Sequence, residues 1–385
     1  MSSFKLFSPI QLRGIESRNR LVVSPMCQYS AIDGFANDWH LVHLGRFALG
    51  GFGIVIAEAT AVRPEGRITP GDVGLWDDAQ IEPLARIARF LRENGSVPGI
   101  QLGHAGRKAS CQRPWHGDLP LTPEDEKVRG DKAWQVVAPS AIPHTEGWPT
   151  PAALTVDDLR NHLDSWRQAT RRALAAGFDI VEIHAAHGYL LHEFLSPLSN
   201  QRDDDYGGSL ANRMRFPLEV IETVRAAWPE DKPLFVRVSA TDWVENGWTL
   251  EDTVAFAARA KALGVDVIDC SSGGMAVPPG AIKAGPGFQV PFAERVRKEA
   301  EIATMAVGAI TEPQLAEAVV AEGRADLVAI AREALYDAAW PNHAFRALGG
   351  DRTDFSAWPV QTGHWLRNRE RSLVRAEARV VNAAD

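Results

Sequence analysis

Residues 176–184 read Ala-Gly-Phe-Asp-Ile-Val-Glu-Ile-His, in which a glycine is closely followed by a short β-branched run. Glycine just past a helix end supplies the left-handed residue that stops the helix. A short continuous apolar run after it is typical of a strand buried on both faces. The same order recurs before Ile54, Val97, Val265 and Leu327. This repetition indicates helices that alternate with parallel strands.

Three further apolar runs, 21–23, 234–238 and 303–308, bring the set to eight strands. Eight strand-and-helix units in 385 residues predict an α/β fold of the TIM (β/α)8 barrel type, over residues 1–350. A doubly wound sheet is the alternative. Against it, no G-x-G-x-x-G motif follows the first strand.

Threonines mark three predicted helix starts. Thr311, with Gln314 three residues later, has the pattern of a capping box. Thr155 and Thr249 are looser versions with Asp at the third helical position. We therefore expect helices to begin just after each of these residues.

Two segments are longer than ordinary barrel connections. Residues 103–154, after the third strand, are rich in proline and charge, which predicts a capping insertion or lid subdomain. Residues 351–385 follow the last barrel helix and are polar. Because they contain Trp358, Trp365 and several arginines, we expect a C-terminal tail that docks between subunits.

The overall charge and the cysteines exclude several classes of protein. The formal net charge is −8, from 41 basic and 49 acidic residues, which disfavours nucleic-acid or anionic-membrane partners. No apolar run reaches the ~18 residues of a membrane helix, and the start of the chain lacks a signal-peptide pattern. We therefore expect a cytoplasmic location. Cys27, Cys111 and Cys270 are too scattered for a disulfide framework or a metal cluster.

In a TIM barrel, functional residues lie at the C-terminal ends of the strands. Cys27 follows the first strand, and the small Ala59 after the second would let a planar ring approach the backbone. The Gln101 amide can both donate and accept, which suits the edge of a heterocycle. Arg237 lies within an apolar strand, where an unpaired charge is costly, and it indicates an anionic or electron-rich ligand.

The last two strands end in Val307-Gly308 and Ala331-Arg332. Loops at these positions are the usual phosphate site of the fold, because backbone N–H groups and helix starts face the ligand. An arginine there can add a bidentate contact. Together with the residues above, this predicts a barrel enzyme that binds a phosphorylated planar cofactor.

The fourth strand is followed by a histidine cluster. His184 and His187 lie three residues apart, and Tyr189 is two residues further on. One interpretation is a pair of donors for a substrate oxygen. The alternative is a metal-dependent hydrolase in which the two histidines bind a metal, with His192 and Glu193 as further ligands.

Five motifs of this chain resemble those of a known family. They are Ser24–Tyr29, His104–Lys108, His184–Leu190, Ser199–Ser209 and Ala325–Val328. Together, from about residue 4 to residue 348, they resemble the Old Yellow Enzyme family of NADH:flavin oxidoreductases. The cysteine after Pro-Met is similar to that of its thermophilic-like branch, which includes the xenobiotic reductases.

The resemblance implies non-covalent FMN, NADPH or NADH as reductant, and no metal. The reaction that it implies is reduction of the activated C=C bond of α,β-unsaturated carbonyl or nitro compounds. The FMN-binding positions that it implies are Ser24, Pro25, Met26, Cys27, Ala59, Gln101, Arg237, Val307, Gly308, Ala331 and Arg332. Glycine is usual in the family where Ala331 stands, so the phosphate geometry is expected to shift slightly.

The resemblance also assigns the substrate side. His184 and His187 would bind the substrate oxygen, Tyr29 would line the pocket, and Tyr189 would donate a proton. Cys27 would tune the flavin and substrate binding. Relatives place an aromatic residue or arginine of the tail in a neighbouring subunit's site, which makes Trp365 or Arg367 the candidate in a homo-oligomer, dimer or tetramer.

Overall fold

The computed structural model describes residues 4–275, 277 and 280–381. A hairpin, β1 (Ile10–Leu12) and β2 (Ile15–Ser17), precedes the barrel, and a small two-stranded sheet, β6 (Val137–Ala138) and β7 (Ala152–Ala153), lies in the insertion. The barrel strands are β3 (Leu21–Val23), β4 (Ile54–Ala61), β5 (Val97–Gly103), β8 (Ile180–Ala185), β9 (Leu234–Ser239), β10 (Val267–Ser271), β11 (Ala303–Ala306) and β12 (Leu327–Ile330).

The helices follow the strands in alternation. They are α1 (Asp38–Leu49), α2 (Ile81–Glu93), α3 (Pro123–Arg129), α4 (Val156–Ala175), α5 (Leu190–Leu195), α6 (Leu210–Ala227), α7 (Leu250–Ala262), α8 (Val290–Glu299), α9 (Pro313–Ala321), α10 (Arg332–Tyr336), α11 (Trp340–Ala347) and α12 (Val360–Val381). None of the helices in the described ranges is long and apolar enough to cross a membrane.

The eight barrel strands are adjacent in chain order, and β12 pairs with β3 to close the barrel. All pairs within the barrel are parallel. The predicted TIM barrel is therefore confirmed, and the doubly wound sheet is excluded because an open sheet has two unpaired edges.

Side chains alternate between the barrel interior and the surrounding helices, as the two-residue period of a strand requires. On β9, Phe235 packs in the interior cluster, whereas Leu234 and Val236 pack in the outer cluster beneath the helices. Leu12 of the hairpin joins the interior cluster and covers the N-terminal end of the barrel. The side chain of Cys270 packs in the outer cluster, between the strands and the helices, and therefore does not face the barrel mouth.

Two of the three predicted helix starts are confirmed. Thr155 and Thr249 each accept a hydrogen bond at the N-cap position and form complete capping boxes. The prediction for Thr311 is wrong, because α9 has Glu312 at the N-cap without a side-chain bond. Pro313 occupies the first helical position, where its fixed φ starts the helix one residue later than the capping pattern requires.

Residues 103–154 cover one side of the barrel mouth with short elements rather than a separate core. The ion pair of Arg113 with Asp131, at 2.8 Å, holds the segment together. The indole N–H of Trp134 donates to the Glu65 carbonyl at 3.0 Å and ties the segment to the loop after β4. Its role as a lid stays a prediction.

The tail contains α12 and packs near the N-terminal end of the barrel. Trp358 and Pro359 share a groove with Leu49 and Asn94, which lie at the ends of α1 and α2. These helix ends lead into β4 and β5, so the groove lies opposite the mouth. Further along α12, the buried carboxylate of Glu370 pairs with Arg352.

Candidate functional site

The upper interior of the barrel is polar, in contrast to the apolar cluster below it. Near the mouth, inward positions of β5, β8, β9 and β10 carry Gln101, Glu182, Arg237 and Asp269, Ser24 directly follows β3, and all five residues are buried. Strand register brings them together, since Gln101 is aligned with Glu182 and Arg237 with Asp269. We call these five residues the polar layer.

Arg237 is at the centre of the polar layer. Its Nε lies 3.1 Å from Asp269 Oδ2, and its Nη1 donates to Ser24 Oγ at 2.8 Å. Its Nη2 makes no hydrogen bond with the described residues. The buried charge is thus paired within the protein, by Asp269, and not solely by the anionic or electron-rich ligand that the sequence indicates; one nitrogen remains for such a ligand.

Gln101 is oriented by a carboxyl group. Its amide Nε2 donates to Glu182 Oε1 at 2.9 Å, which fixes which end of the amide faces the acid. The amide oxygen accepts no hydrogen bond from the described residues, so it is available to a donor above it. An amide acceptor on β5 and a guanidinium donor on β9, on either side of β8, fit the N3–H and C2=O edge of a flavin ring.

The wall beside this edge is made by the ends of β3 and β4. The register of β4 against β5 shifts between Ala57 and Thr60, so Ala59 lies at a bulge-like irregularity that changes the direction of the strand. Glu58 Oε1 accepts from the Gln28 backbone N–H at 3.1 Å and holds the segment that contains Cys27. Burial, reinforced by Asp72 and Glu58, raises the pKa of the Cys27 thiol well above its usual range. Cys27 is therefore a neutral thiol.

Tyr29 follows in the left-handed region, with φ of 51°. Few non-glycine residues adopt this conformation, and those that do are concentrated at functional sites. Its carbonyl accepts from Arg113 Nε at 3.1 Å, and its ring packs edge-on against Trp115 with 6.0 Å between centroids. The insertion thus contacts the predicted pocket-lining residue directly.

The histidine pair is brought together as predicted. The ring centroids of His184 and His187 are 5.1 Å apart, and the His184 and Tyr189 rings are 5.0 Å apart. His184 Nδ1 accepts from the Ala186 backbone N–H at 3.2 Å, so its proton resides on Nε2. Burial and the nearby Arg237 hold the pKa of both histidines well below the usual range, and both rings are neutral.

The turn that contains His187 has a strained backbone and is held in place by several hydrogen bonds. His187 has φ of 60°, and its Nε2 lies 2.7 Å from Ser271 Oγ. The backbone N–H of His187 donates to Ser239 Oγ at 2.9 Å. Lys108 Nζ donates to the His187 carbonyl at 2.9 Å and lies 5.1 Å from the centre of the Tyr189 ring. These contacts fix the ring of His187 and the direction of Tyr189.

The predicted phosphate site lies at the ends of β11 and β12, where it combines a glycine at positive φ with an exposed arginine. Gly308 has φ of 121°, a backbone conformation that residues with a side chain rarely adopt, so this position favours glycine. Arg332 begins α10 and is exposed, without an ion pair to the described residues. Ala331 precedes it in an unusual conformation, with φ of −112° and ψ of −94°. The structure thus leaves Arg332 free to contact a phosphate.

The metal alternative is not favoured by the geometry. Glu193 Oε1 accepts from the Arg107 backbone N–H at 2.9 Å, and His192 Nε2 lies 2.9 Å from Asp242 Oδ1. Neither residue therefore turns toward His184 and His187, which a four-ligand site would require.

A different cluster, Glu65, His104 and His162, has ligand atoms within 4.8 Å of one another. His104 Nδ1 accepts from the Gly106 backbone N–H at 3.0 Å, which places the ring proton on Nε2. A metal at Nε2 would displace that proton, and Nδ1 could take it up only by breaking the bond to Gly106. This cluster therefore carries no metal proposal.

Sequence reasoning missed Glu182 and Asp269 of the polar layer, together with Ser239 and Ser271 beneath His187. A charge inside an apolar strand singled out Arg237, and the same criterion applies to Glu182 in β8 and Asp269 in β10. The two serines carried no such signal. Trp365 is not brought to this site, since it lies on α12, is 72% exposed and packs edge-on against the adjacent His364.

Comparison with known proteins agrees with this geometry. The profile of the NADH:flavin oxidoreductase / NADH oxidase family matches residues 5–348. An NADPH dehydrogenase of Geobacillus is 48% identical over 346 residues, which cover 89% of this chain and 94% of the relative. The NADPH dehydrogenase of Bacillus subtilis is 45% identical over 359 residues, covering 93% and 98%.

Among solved structures, morphinone reductase superimposes with a TM-score of 0.73 at 26% identity, over 92% of this chain and 93% of that one. The family match ends just before the tail, so it covers the barrel and its insertion. The chain therefore belongs to the NADH:flavin oxidoreductase / NADH oxidase family and is an oxidoreductase of the Old Yellow Enzyme type.

Proposed function

We propose that this protein is an ene-reductase that uses FMN and NADPH or NADH to reduce the C=C bond of α,β-unsaturated carbonyl or nitro compounds. The observation that carries the proposal is the pair of neutral histidines beside Tyr189, at the mouth of a barrel whose polar layer fits a flavin edge. FMN, when bound, supplies the hydride chemistry.

The proposed flavin site uses residues from most strand ends. Gln101 and Arg237 would bind the pyrimidine edge, and Gly308, Ala331 and Arg332 would hold the phosphate. The remaining contacts would come from Ser24, Pro25, Met26, Cys27, Ala59 and Val307. These residues would orient the ring and keep water away from it.

His184 and His187 are proposed to bind the substrate oxygen. The His184 Nε2–H is fixed because Nδ1 is occupied by the Ala186 N–H. When the Ser271 hydroxyl donates to His187 Nε2, the proton of that ring lies on Nδ1 and can be offered to the same oxygen. Fixed neutral donors stabilise negative charge that develops on the oxygen, as in an oxyanion hole.

Tyr189 is proposed to donate the proton that completes the reduction. Burial, with Cys27 as the next cause, raises the pKa of its phenol well above its usual range, so the group is protonated throughout the physiological pH range. Lys108 over the ring limits its rotation. A protonated, oriented phenol next to the oxygen-binding histidines is suited to general acid catalysis.

We also propose a homo-oligomer, a dimer or tetramer, in which the tail of one chain completes the site of another. The tail begins opposite the mouth of its own barrel, so Trp365 is better placed to serve a second copy. In addition, α1 leaves Trp39 57% and Val42 69% exposed beside the Cys27 segment, an apolar surface that a second chain would cover. Removing residues from 360 onward should raise KM for the alkene, whereas unchanged KM together with a monomeric mass would contradict shared sites.

A cytoplasmic location is part of the proposal. The three cysteines are unpaired, as is usual for proteins kept in a reducing compartment. The reductants NADPH and NADH are available in such a compartment.

One set of measurements tests the function. The purified protein should have the visible spectrum of oxidised flavin, should be bleached by NADPH or NADH without oxygen, and should regain its colour with an enone. The product should be the saturated ketone, identified by chromatography. A flavin-loaded protein that is reduced by NAD(P)H but is not reoxidised by any enone or nitroalkene would contradict the proposed substrate class.

A further inference from the structure

Two buried carboxyl groups flank Arg237 without a role in the proposed catalysis. Asp269 is aligned with Arg237 across β10 and β9, and Glu182 lies on β8, on the other side of β9. Both carboxyl residues are 0% exposed. Glu182 Oε2 and Asp269 Oδ1 have no hydrogen-bond partner among the described residues. Two acids thus share one base inside the barrel.

We propose that Asp269 and Glu182 are positioning residues that set the net charge beneath the flavin ring, Asp269 by neutralising Arg237 and Glu182 by holding a proton that it can release. This inference rests on the proposed flavin site. It assigns to the polar layer control of the flavin midpoint potential, in addition to binding.

The arrangement of charges explains why Glu182 carries the proton. Arg237 Nε is 3.1 Å from Asp269, so the guanidinium compensates that carboxylate first. Glu182 receives only the neutral Gln101 amide, at 2.9 Å. The groups that face it are Asp269 on β10, Arg237 on β9 and Gln101 on β5. Burial and the charge of Asp269 raise the pKa of Glu182 to about 8, against the lowering effect of Arg237.

The charge of the layer therefore changes with pH. Below the pKa of Glu182, Arg237 and Asp269 cancel and the layer is neutral. Above it, ionised Glu182 makes the layer negative, which disfavours adding electrons to a ring above it. Conversely, reduction of the ring raises the pKa of Glu182, so that reduction takes up one additional proton in the range above about pH 8.

The experiment is a midpoint-potential titration of the FMN-bound protein from acid to alkaline pH. In the wild type, the profile should steepen above about pH 8 by about 30 mV per pH unit, the value for one proton per two electrons. Glu182→Gln should keep the bond from Gln101 and lose the steepening. Glu193→Gln removes another buried carboxyl group with a pKa near 8, outside the polar layer, and should keep it.

Asp269→Asn gives an independent result. Without its partner, Arg237 should raise the midpoint potential wherever Glu182 is still protonated, and the steepening should move to lower pH because Glu182 loses a repulsive neighbour. If Glu182→Gln and the wild type have the same profile, Glu182 is not the proton-holding group and the inference is wrong. A flavin-loaded protein that reduces no alkene would contradict only the proposed function, whereas a protein that binds no FMN would overturn both.

Discussion

Replacing His184 by alanine should slow the oxidative half-reaction and spare the reductive one. The Nε2–H of His184 is directed by the Ala186 N–H at 3.2 Å and by the rings of His187 and Tyr189 on either side. A donor held this firmly needs no reorganisation when charge develops on the substrate oxygen. The loss of such a donor costs roughly 10²- to 10³-fold in rate.

The structure favours the lower end of that range. His184 is a neutral donor, because burial and Arg237 hold its pKa well below the usual range, and a second donor, His187, remains in the variant. We therefore expect a loss of about 10²-fold, which corresponds to about 2.7 kcal/mol of transition-state stabilisation. Since the ring is already neutral at pH 6, the wild-type rate should not depend on its titration between pH 6 and pH 8.

Stopped-flow spectroscopy separates the two half-reactions by following flavin absorbance. His184→Asn, which restores a short amide donor, should recover part of the rate, whereas His144→Ala, in the insertion and outside the histidine pair, should behave like the wild type. Reoxidation of His184→Ala by an enone at close to the wild-type rate would refute the role as a donor. Equal slowing of flavin reduction would indicate a displaced cofactor instead.

Four further predictions follow from the same geometry. Arg332→Ala should lower flavin retention on dialysis, because the free guanidinium at the start of α10 would lose its charge-assisted contact; full retention would exclude it as the phosphate ligand. Cys27→Ser should stay active with a shifted midpoint potential, since the thiol is neutral and no nucleophile; complete loss of turnover with FMN bound would favour covalent catalysis. Tyr189→Phe should bind ligands normally, and its flavin should be reduced by NAD(P)H at the normal rate but reoxidised slowly by an enone; a wild-type rate of reoxidation would mean that water supplies the proton. The pKa of buried Glu193 is raised to about 8, so its contribution to stability is full below about pH 4.5 and lost as the pH rises to 8; Glu193→Gln should flatten that part of the unfolding free-energy profile measured with urea.

The barrel could be predicted because each of its strands is a short apolar run with a helix-ending glycine or a turn before it. The two-residue alternation was not needed for this, since both faces of the strands are buried. The start of α9 was predicted incorrectly because two local signals compete there. Pro313 at the first helical position outweighs the Thr311 capping pattern.

The roles of the mouth residues depended on resemblance, whereas their positions did not. Strand ends named Gln101, Arg237 and His184 as candidates, because a TIM barrel has one functional face. No sequence pattern gives the tautomer of His184, which depends on a backbone N–H two residues away. The exposure of Arg332 and the placement of the tail opposite the mouth also arise only from tertiary packing.

Strand register decides the electrostatics of the site, and the sequence does not encode it locally. Gln101 aligns with Glu182 and Arg237 with Asp269, and a slip of one residue on either strand would turn one member of each pair outward. Each charged side chain is costly inside a barrel, and the cost falls only when its partner on the adjacent strand is at the same level. The same strand register therefore serves both stability and function. It pairs Arg237 with Asp269 and Gln101 with Glu182, and it leaves Arg237 Nη2 and the Gln101 amide oxygen free at the mouth. Replacing both carboxyl groups would leave the guanidinium of Arg237 buried without an ion-pair partner, so the change would destabilise the barrel as well as alter the potential of its flavin.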